Sequence, residues 1–187
     1  MTQELKNKKV AILVADGFEQ VEMTKPQQAL EEAGAQTQII SPKGDRVQGW
    51  NHFDKGDFFS VDVSLDGANP ADYDALLLPG GVANPDQLRT IDKAVQFVKS
   101  FFDAGKPVAA ICHGSWTLIE AKVVEGRTLT SWPSLKTDLQ NAGAHWVDRE
   151  VVVDKGLVTS RNPDDIPAFN REMLELFSHA GQAQQVA

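Results

Sequence analysis

Three short apolar runs, each closed by a glycine-containing turn, do most to restrict what this chain can fold into. Lys8 to Asp16 (KKVAILVAD), Asp74 to Leu78 (DALLL) and Pro107 to Ile111 (PVAAI) are almost free of polar residues along their centres. A strand with one wet face alternates apolar and polar positions, so runs of this kind read as strands covered on both faces, as in a parallel sheet. The first runs into Gly17, the second into Pro79, Gly80 and Gly81, the third into Cys112, His113 and Gly114.

The segments between them carry helical signals. Glu19 to Ala33 reads as a helix closed by Gly34, with Pro26 expected to kink it or split off its first turn. Gln36 to Ser41 is a further strand, and residues 43 to 70, rich in Gly, Asp, Asn and aromatics, read as an excursion from the sheet. Asp86 to Asp103 is predicted as one amphipathic helix, since Leu88, Ile91, Ala94, Val95, Val98, Phe101 and Phe102 recur at helical spacing. Arg127 to Ser131 reads as a strand, Ser134 to Ala142 as a helix closed by Gly143, and Glu150 to Ser160 as a hairpin turning at Asp154, Lys155 and Gly156. Asp164 or Asp165 is expected to cap a last helix reaching about Phe177, followed by a frayed tail, GQAQQVA. Strands alternating with helices predict an α/β sandwich around a mostly parallel sheet. With 187 residues, no repeat and no linker, one domain is expected, its core spanning about residues 8 to 178 between flexible ends.

The third run carries the chemistry. Cys112, the chain's one cysteine, falls between a strand and a helix opening near Ser115. Helix dipole and unpaired amides there favour a thiolate, and the construction parallels a strand–nucleophile–helix elbow. As a residue type a lone cysteine is a small hydrophobe, but His113 and Gly114 do not continue an apolar packing pattern, which points to a reactive thiol.

The carboxyl ends of the three apolar strands should converge on one crevice. That gathers Glu19 as a candidate acid, the Gly80 and Gly81 amides as oxyanion donors with the amide of His113, and His113 itself as a base. The bland readings are a dipole-matched first-turn acid for Glu19 and a tight turn for the glycines. Trp116 and Trp132 are candidate pocket walls, and His52, beside Trp50 and Asp54, is a candidate lining residue from the excursion.

A formal charge of −8 without a dense basic block argues against nucleic acid as a partner. One cysteine allows no internal disulfide, which fits a reducing compartment. MTQELKNKK is not a signal peptide, and no apolar run is long enough to span a bilayer, so a cytoplasmic protein without a membrane partner is expected. ADGFEQ has one glycine and lacks GxGxxG, and His52, His145 and His179 lack metal-ligand spacing.

ADGFEQVEM, DALLLPGG, KPVAAICHG, NAGAHWVDREVVVD and VTSRNPDD, in this order from about Lys8 to Phe177, together resemble the PfpI subfamily of the DJ/PfpI superfamily. That group includes intracellular cysteine peptidases, general stress proteins and deglycases related to cofactor-independent glyoxalases. The resemblance implies a flavodoxin-like three-layer sandwich, a nucleophile at Cys112 beside His113, an acid at Glu19, and a homodimer or higher homo-oligomer. In PfpI-like peptidases a glutamate from a neighbouring subunit completes the histidine; the matching position here is Asp86, one methylene shorter. The His-x-Glu of the related class I glutamine amidotransferases is absent, since HWV and HAG follow other patterns. The expected function is stress protection by a cofactor-free, metal-free hydrolase acting on small reactive carbonyls or glycated protein through Cys112. The alternatives are a PfpI-type peptidase using Asp86 across an interface and a non-enzymatic redox sensor or chaperone-like protein whose cysteine oxidises.

Overall fold

The computed structural model describes residues 4–181. In chain order the strands are β1 (Lys9–Leu13), β2 (Phe18–Glu19), β3 (Gln36–Ser41), β4 (Arg46–Asn51), β5 (Asp54–Ser60), β6 (Val63–Ser64), β7 (Ala75–Leu78), β8 (Val108–Ile111), β9 (Thr128–Leu129), β10 (His145–Trp146), β11 (Val152–Asp154) and β12 (Leu157–Ser160). The helices are α1 (Gln20–Glu32), α2 (Ala83–Leu88), α3 (Asp92–Asp103), α4 (Ser115–Glu120), α5 (Lys136–Asn141) and α6 (Ile166–Ser178).

The central sheet has the order β11-β12-β8-β7-β1-β3-β6, parallel throughout except for β11. The three apolar runs are its neighbouring inner strands β8, β7 and β1. Side chains alternate between two cores. Val10, Ile12 and Val14 pack with Met23, Leu30, Phe169 and Phe177 of α1 and α6; Ala11, Leu13 and Ala15 pack with Phe97, Phe101, Leu118 and Leu139 of α3, α4 and α5. Helices on both faces explain why these strands needed apolar residues at every position. The chain leaves β1 toward β3 on one side and returns to β7 on the other, so β1 and β7 flank a topological switch point, where open α/β sheets place their crevice.

Several boundaries differ from the sequence expectations for identifiable reasons. α1 continues through Pro26, which is buried; packing holds the helix together although the ring removes one backbone donor. The helix expected over Asp86 to Asp103 is two helices, because Ile91 is extended (φ −105°, ψ 104°). Asn84, fully buried in α2, accepts from the Ala15 amide (2.7 Å) and donates to the carbonyls of Pro79 and Gly80 (3.0 Å each), which fixes α2 against the glycine turn. The strand expected over Arg127 to Ser131 is only β9, and it pairs with β10 outside the main sheet. The segment 134–142 opens with a 3-10 turn before α5. β11 and β12 form the expected hairpin, with Lys155 and Gly156 both left-handed at its turn. Asp165 stands at the start of α6 but its side chain does not cap it; it grips Arg161 instead, and Asn162 caps the preceding turn. The expected frayed tail lies, from residue 182 on, outside the described residues. The excursion is a β4–β5 hairpin, brought back to the sheet's carboxyl edge because β2 pairs with β4 in parallel (Phe18 with Gly49, Glu19 with Trp50).

Candidate active site

Cys112 follows the last residue of β8 and adopts a left-handed backbone (φ 61°), a strained conformation for a residue with a side chain. The turn packs directly on the end of β7. A side chain at Gly114 would place its first carbon 2.6 Å from the Leu78 carbonyl oxygen, so the missing bulk accommodates another backbone. Trp132 donates its backbone N–H to the Cys112 carbonyl (3.2 Å), which ties the far side of the elbow.

Left-handed geometry also lets adjacent side chains meet. Cys112 Sγ lies 3.2 Å from His113 Nδ1. The imidazole stacks on Trp132 (ring centres 5.7 Å, 25°) and meets the edge of Trp116 (5.1 Å, 68°). Trp116 is itself held by Asp138, through Nε1 at 3.2 Å, and by the Arg89 guanidinium over its face. Burial without a countercharge pulls the His113 pKa down to about 4, so the ring is neutral at neutral pH and free to accept a proton.

The carboxyl packed against the thiol is that of Glu22, while Glu19, the acid expected from the sequence, also lines the cavity over Cys112. Glu22 sits one turn further along α1, fully buried. Its Oε2 accepts from the Gly80 amide at 2.9 Å, its Oε1 has no hydrogen-bond partner, and the carboxyl interacts with the Cys112 thiol. Burial, reinforced by the nearby Glu19, pushes its pKa up to about 8; it holds its proton at neutral pH and can donate. A carboxyl on the apolar stripe that also carries Met23, Pro26 and Leu30 was the available signal for it.

Glu19 instead anchors the excursion. Its Oε2 accepts from the His52 amide at 3.0 Å and its Oε1 lies 3.8 Å from His52 Nδ1. His52 is left-handed (φ 57°) at the hairpin tip, which sets it and Phe53 at the cavity mouth.

The Gly80 amide, expected as an oxyanion donor, donates to Glu22, while the amides of Gly81 and His113 both act on the sulfur. They favour the thiolate, but burial outweighs them and pushes the Cys112 pKa up, so the resting side chain is a neutral thiol rather than the thiolate expected from the helix start. α4 is only six residues long, which limits its dipole. Neutral thiol, neutral imidazole and protonated carboxyl can perform general-base-assisted nucleophilic attack, with the thiol proton passing to His113 as the sulfur bonds to an electrophile.

A cavity of about 670 Å³ opens over the thiol, lined by Glu19, Glu22, His52, Asp86, Cys112, His113 and Trp132 among others. Asp86 is exposed on α2; its amide donates to the Val82 carbonyl (3.3 Å), and its carboxylate makes no hydrogen bond or ion pair among the described residues. Trp116 does not line this cavity; its contact with the site is through His113.

A three-layer sandwich with a left-handed cysteine elbow beside the switch point defines an α/β protein whose one cysteine faces a cavity at the carboxyl edge of its sheet. The chain belongs to the DJ-1/PfpI family, which it matches over residues 8–176. It is 50% identical to general stress protein 18 of Bacillus subtilis over 171 residues, covering 90% of this chain and 97% of that one. It is 48% identical to protein/nucleic acid deglycase 2 of Escherichia coli over 173 residues, covering 91% and 98%. Among solved structures, a two-domain protein of Anabaena variabilis with a DJ-1/ThiJ/PfpI-like and a ferritin-like domain superposes with a TM-score of 0.86 at 33% identity. That match covers 94% of this chain and half of the longer protein. Among the described residues no helix is long and apolar enough to cross a membrane.

Proposed function

We propose that this chain is a cytoplasmic stress-protection hydrolase that removes reactive-carbonyl adducts through Cys112. The observation carrying this reading is the placement of one sulfur between a neutral base, His113 Nδ1 at 3.2 Å, and a protonated buried acid, Glu22. Relatives named as a general stress protein and a deglycase support it, and a free thiol suits a reducing compartment.

On an amine adduct of methylglyoxal, Cys112 Sγ bonds to the aldehyde-derived carbon while His113 accepts the thiol proton. The amine leaves with a proton supplied by Glu22 or His113. The carbon–hydrogen proton of the resulting hemithioacetal moves to the adjacent carbonyl carbon, which turns the sulfur-bound carbon into a thioester. Water then releases a hydroxy acid and regenerates the thiol. One water is consumed per adduct, the free amine and lactate are the products, and there is no net oxidation. Oxyanions formed on the way face the Gly81 and His113 amides. Purified chain incubated with methylglyoxal-treated amino acid should release hydroxy acid and free amine, and Cys112→Ala should release neither; equal release by the two would end this reading.

Asp86 favours a second reading. It is exposed at the cavity while His113 has no carboxylate partner among the described residues, so a second copy bringing Asp86 to His113 would complete a peptidase triad. Cleavage of unfolded protein that depends on self-association would support it.

A further inference from the structure

Asn84 is fully buried on α2 and does not line the cavity, yet it is bonded to the glycine turn that serves the thiol. Its side chain has its acceptor and both donor hydrogens in use. Oδ1 accepts from the Ala15 amide (2.7 Å), and Nδ2 donates to the carbonyls of Pro79 and Gly80 (3.0 Å each). These partners admit one orientation of the amide, since the reverse would set Nδ2 against an N–H and Oδ1 against two carbonyls.

The two carbonyls belong to the two peptide groups whose other ends face Glu22 and Cys112. In a planar trans peptide the C=O and the following N–H point in opposite directions. The Pro79 carbonyl shares its plane with the Gly80 N–H, which donates to Glu22 Oε2 at 2.9 Å. The Gly80 carbonyl shares its plane with the Gly81 N–H, which acts on the Cys112 sulfur. Drawing both carbonyls toward α2 therefore turns both N–H groups toward the carboxyl and the thiol. Glycines rotate freely unless something holds them, and Gly81 is left-handed here (φ 75°). Beside Asn84, the Gly80 carbonyl has the Glu19 amide as a longer donor, at 3.3 Å.

We propose that Asn84 is a positioning residue for Cys112: it aims the Gly80 amide at Glu22 and the Gly81 amide at the sulfur, and so holds in place the donors that meet negative charge there. A preset donor costs no reorganisation when that charge develops. The part of this role that concerns oxyanions rests on the proposed function; the aim of the two amides does not.

The test reads the thiol of the full chain directly, by intact mass after iodoacetamide, from about pH 7 to 9. Asn84→Leu keeps the volume and removes both donors. Its Cys112 should alkylate about tenfold more slowly than wild type throughout, because an unaimed amide no longer favours the thiolate. Asn84→Ser, with one donor, should fall between, and carries the comparison if the leucine variant melts below the assay temperature. A purely structural role predicts the reverse, since a loosened turn admits water and exposes the thiol. Leu88→Ala removes packing under the same short helix and no hydrogen bond, so it should alkylate at the wild-type rate or faster. Every variant keeps Glu19, Glu22, Asp86 and His113 around the sulfur. In wild type, the Asn84 Nδ2 hydrogens should exchange in deuterium oxide as slowly as the backbone amides of β7, seen by NMR. Alkylation of the Asn84 variants at or above the wild-type rate, equal slowing in Leu88→Ala, or rapid exchange of the Nδ2 hydrogens each overturns the positioning role. Slowed alkylation in Asn84→Leu beside a wild type that releases no hydroxy acid would overturn the proposed function and leave Asn84 its role.

Discussion

Glu22 and Cys112 meet across Gly80, and the absence of a side chain there is what allows it. A carbon built on Gly80 would lie 2.4 Å from Glu22 Oε2 and 2.7 Å from Cys112 Cβ. The Gly80 amide in turn holds Glu22 Oε2, so the glycine turn after β7 positions the carboxyl against the thiol.

That arrangement has a signature in stability. Glu22 loses its proton near 4.5 when unfolded and near 8 when folded, so between these values the folded chain binds more protons and stability falls as pH rises. His113 acts oppositely: its pKa drops from 6.5 to about 4 on folding, so its contribution is lost as pH falls through that range. The two slopes cancel between pH 4.5 and 6.5, and only Glu22 acts from 6.5 to 8. Wild type should lose about 2 kcal/mol across that upper window, whereas Glu22→Gln, which keeps an acceptor for the Gly80 amide, should be flat. Urea titrations at a series of pH values measure both slopes; identical slopes would show that Glu22 is not protonated in the fold.

The thiol's own reactivity follows from burial. Cys112 is expected to alkylate slowly at pH 7 and to accelerate without a plateau up to pH 9, since its pKa is pushed above the ordinary cysteine value. Peroxide should add oxygen to it just as reluctantly. A reactivity plateau below pH 7, seen by intact mass, would mean a resting thiolate and would favour the redox-sensor alternative.

Much of this was legible in the chain. Strands β1, β7 and β8 announced themselves because burial on both faces leaves no room for polar alternation, and their shared edge located Cys112, Gly81 and His113 together. Glu22 was not legible in the same way. An acid in a first helical turn reads as matching the dipole, and its burial arises only when Gly80, far along the chain, comes to rest on it. The return of the hairpin bearing Trp50, His52 and Phe53 likewise depends on residues 18–19 pairing with 49–50, a contact with no local pattern. The break between α2 and α3 was hidden because Leu88 and Ile91 keep helical spacing across it, while the turn is imposed by Asn84 reaching Ala15 and the glycine turn.

Gly114 offers a test of the elbow separate from its chemistry. A methyl there meets the backbone oxygens of Leu78 at 2.6 Å and Pro79 at 3.1 Å, and backbone cannot swing aside as a flexible side chain can. Gly114→Ala should therefore cost roughly 1–3 kcal/mol in urea unfolding and lower activity more than that loss explains, by displacing Cys112 from His113. An unchanged unfolding midpoint would show that β7 and the elbow are not in contact.

Asp86 discriminates the two enzymatic readings. Because it is exposed and its carboxylate has no partner among the described residues, Asp86→Glu should leave the melting temperature within about a degree of wild type, as surface changes usually do. If a second copy delivers this carboxylate to His113, the added methylene extends its reach, and cleavage of unfolded casein should rise severalfold together with a raised imidazole pKa in the activity profile. Hydroxy-acid release, which the proposed function assigns to Cys112, His113 and Glu22 of one chain, should change by less than twofold. Sedimentation velocity on both proteins establishes whether the copies associate at assay concentration. Enhanced proteolysis in an associating Asp86→Glu would make the peptidase the better account, and unchanged proteolysis beside steady hydroxy-acid release would remove it.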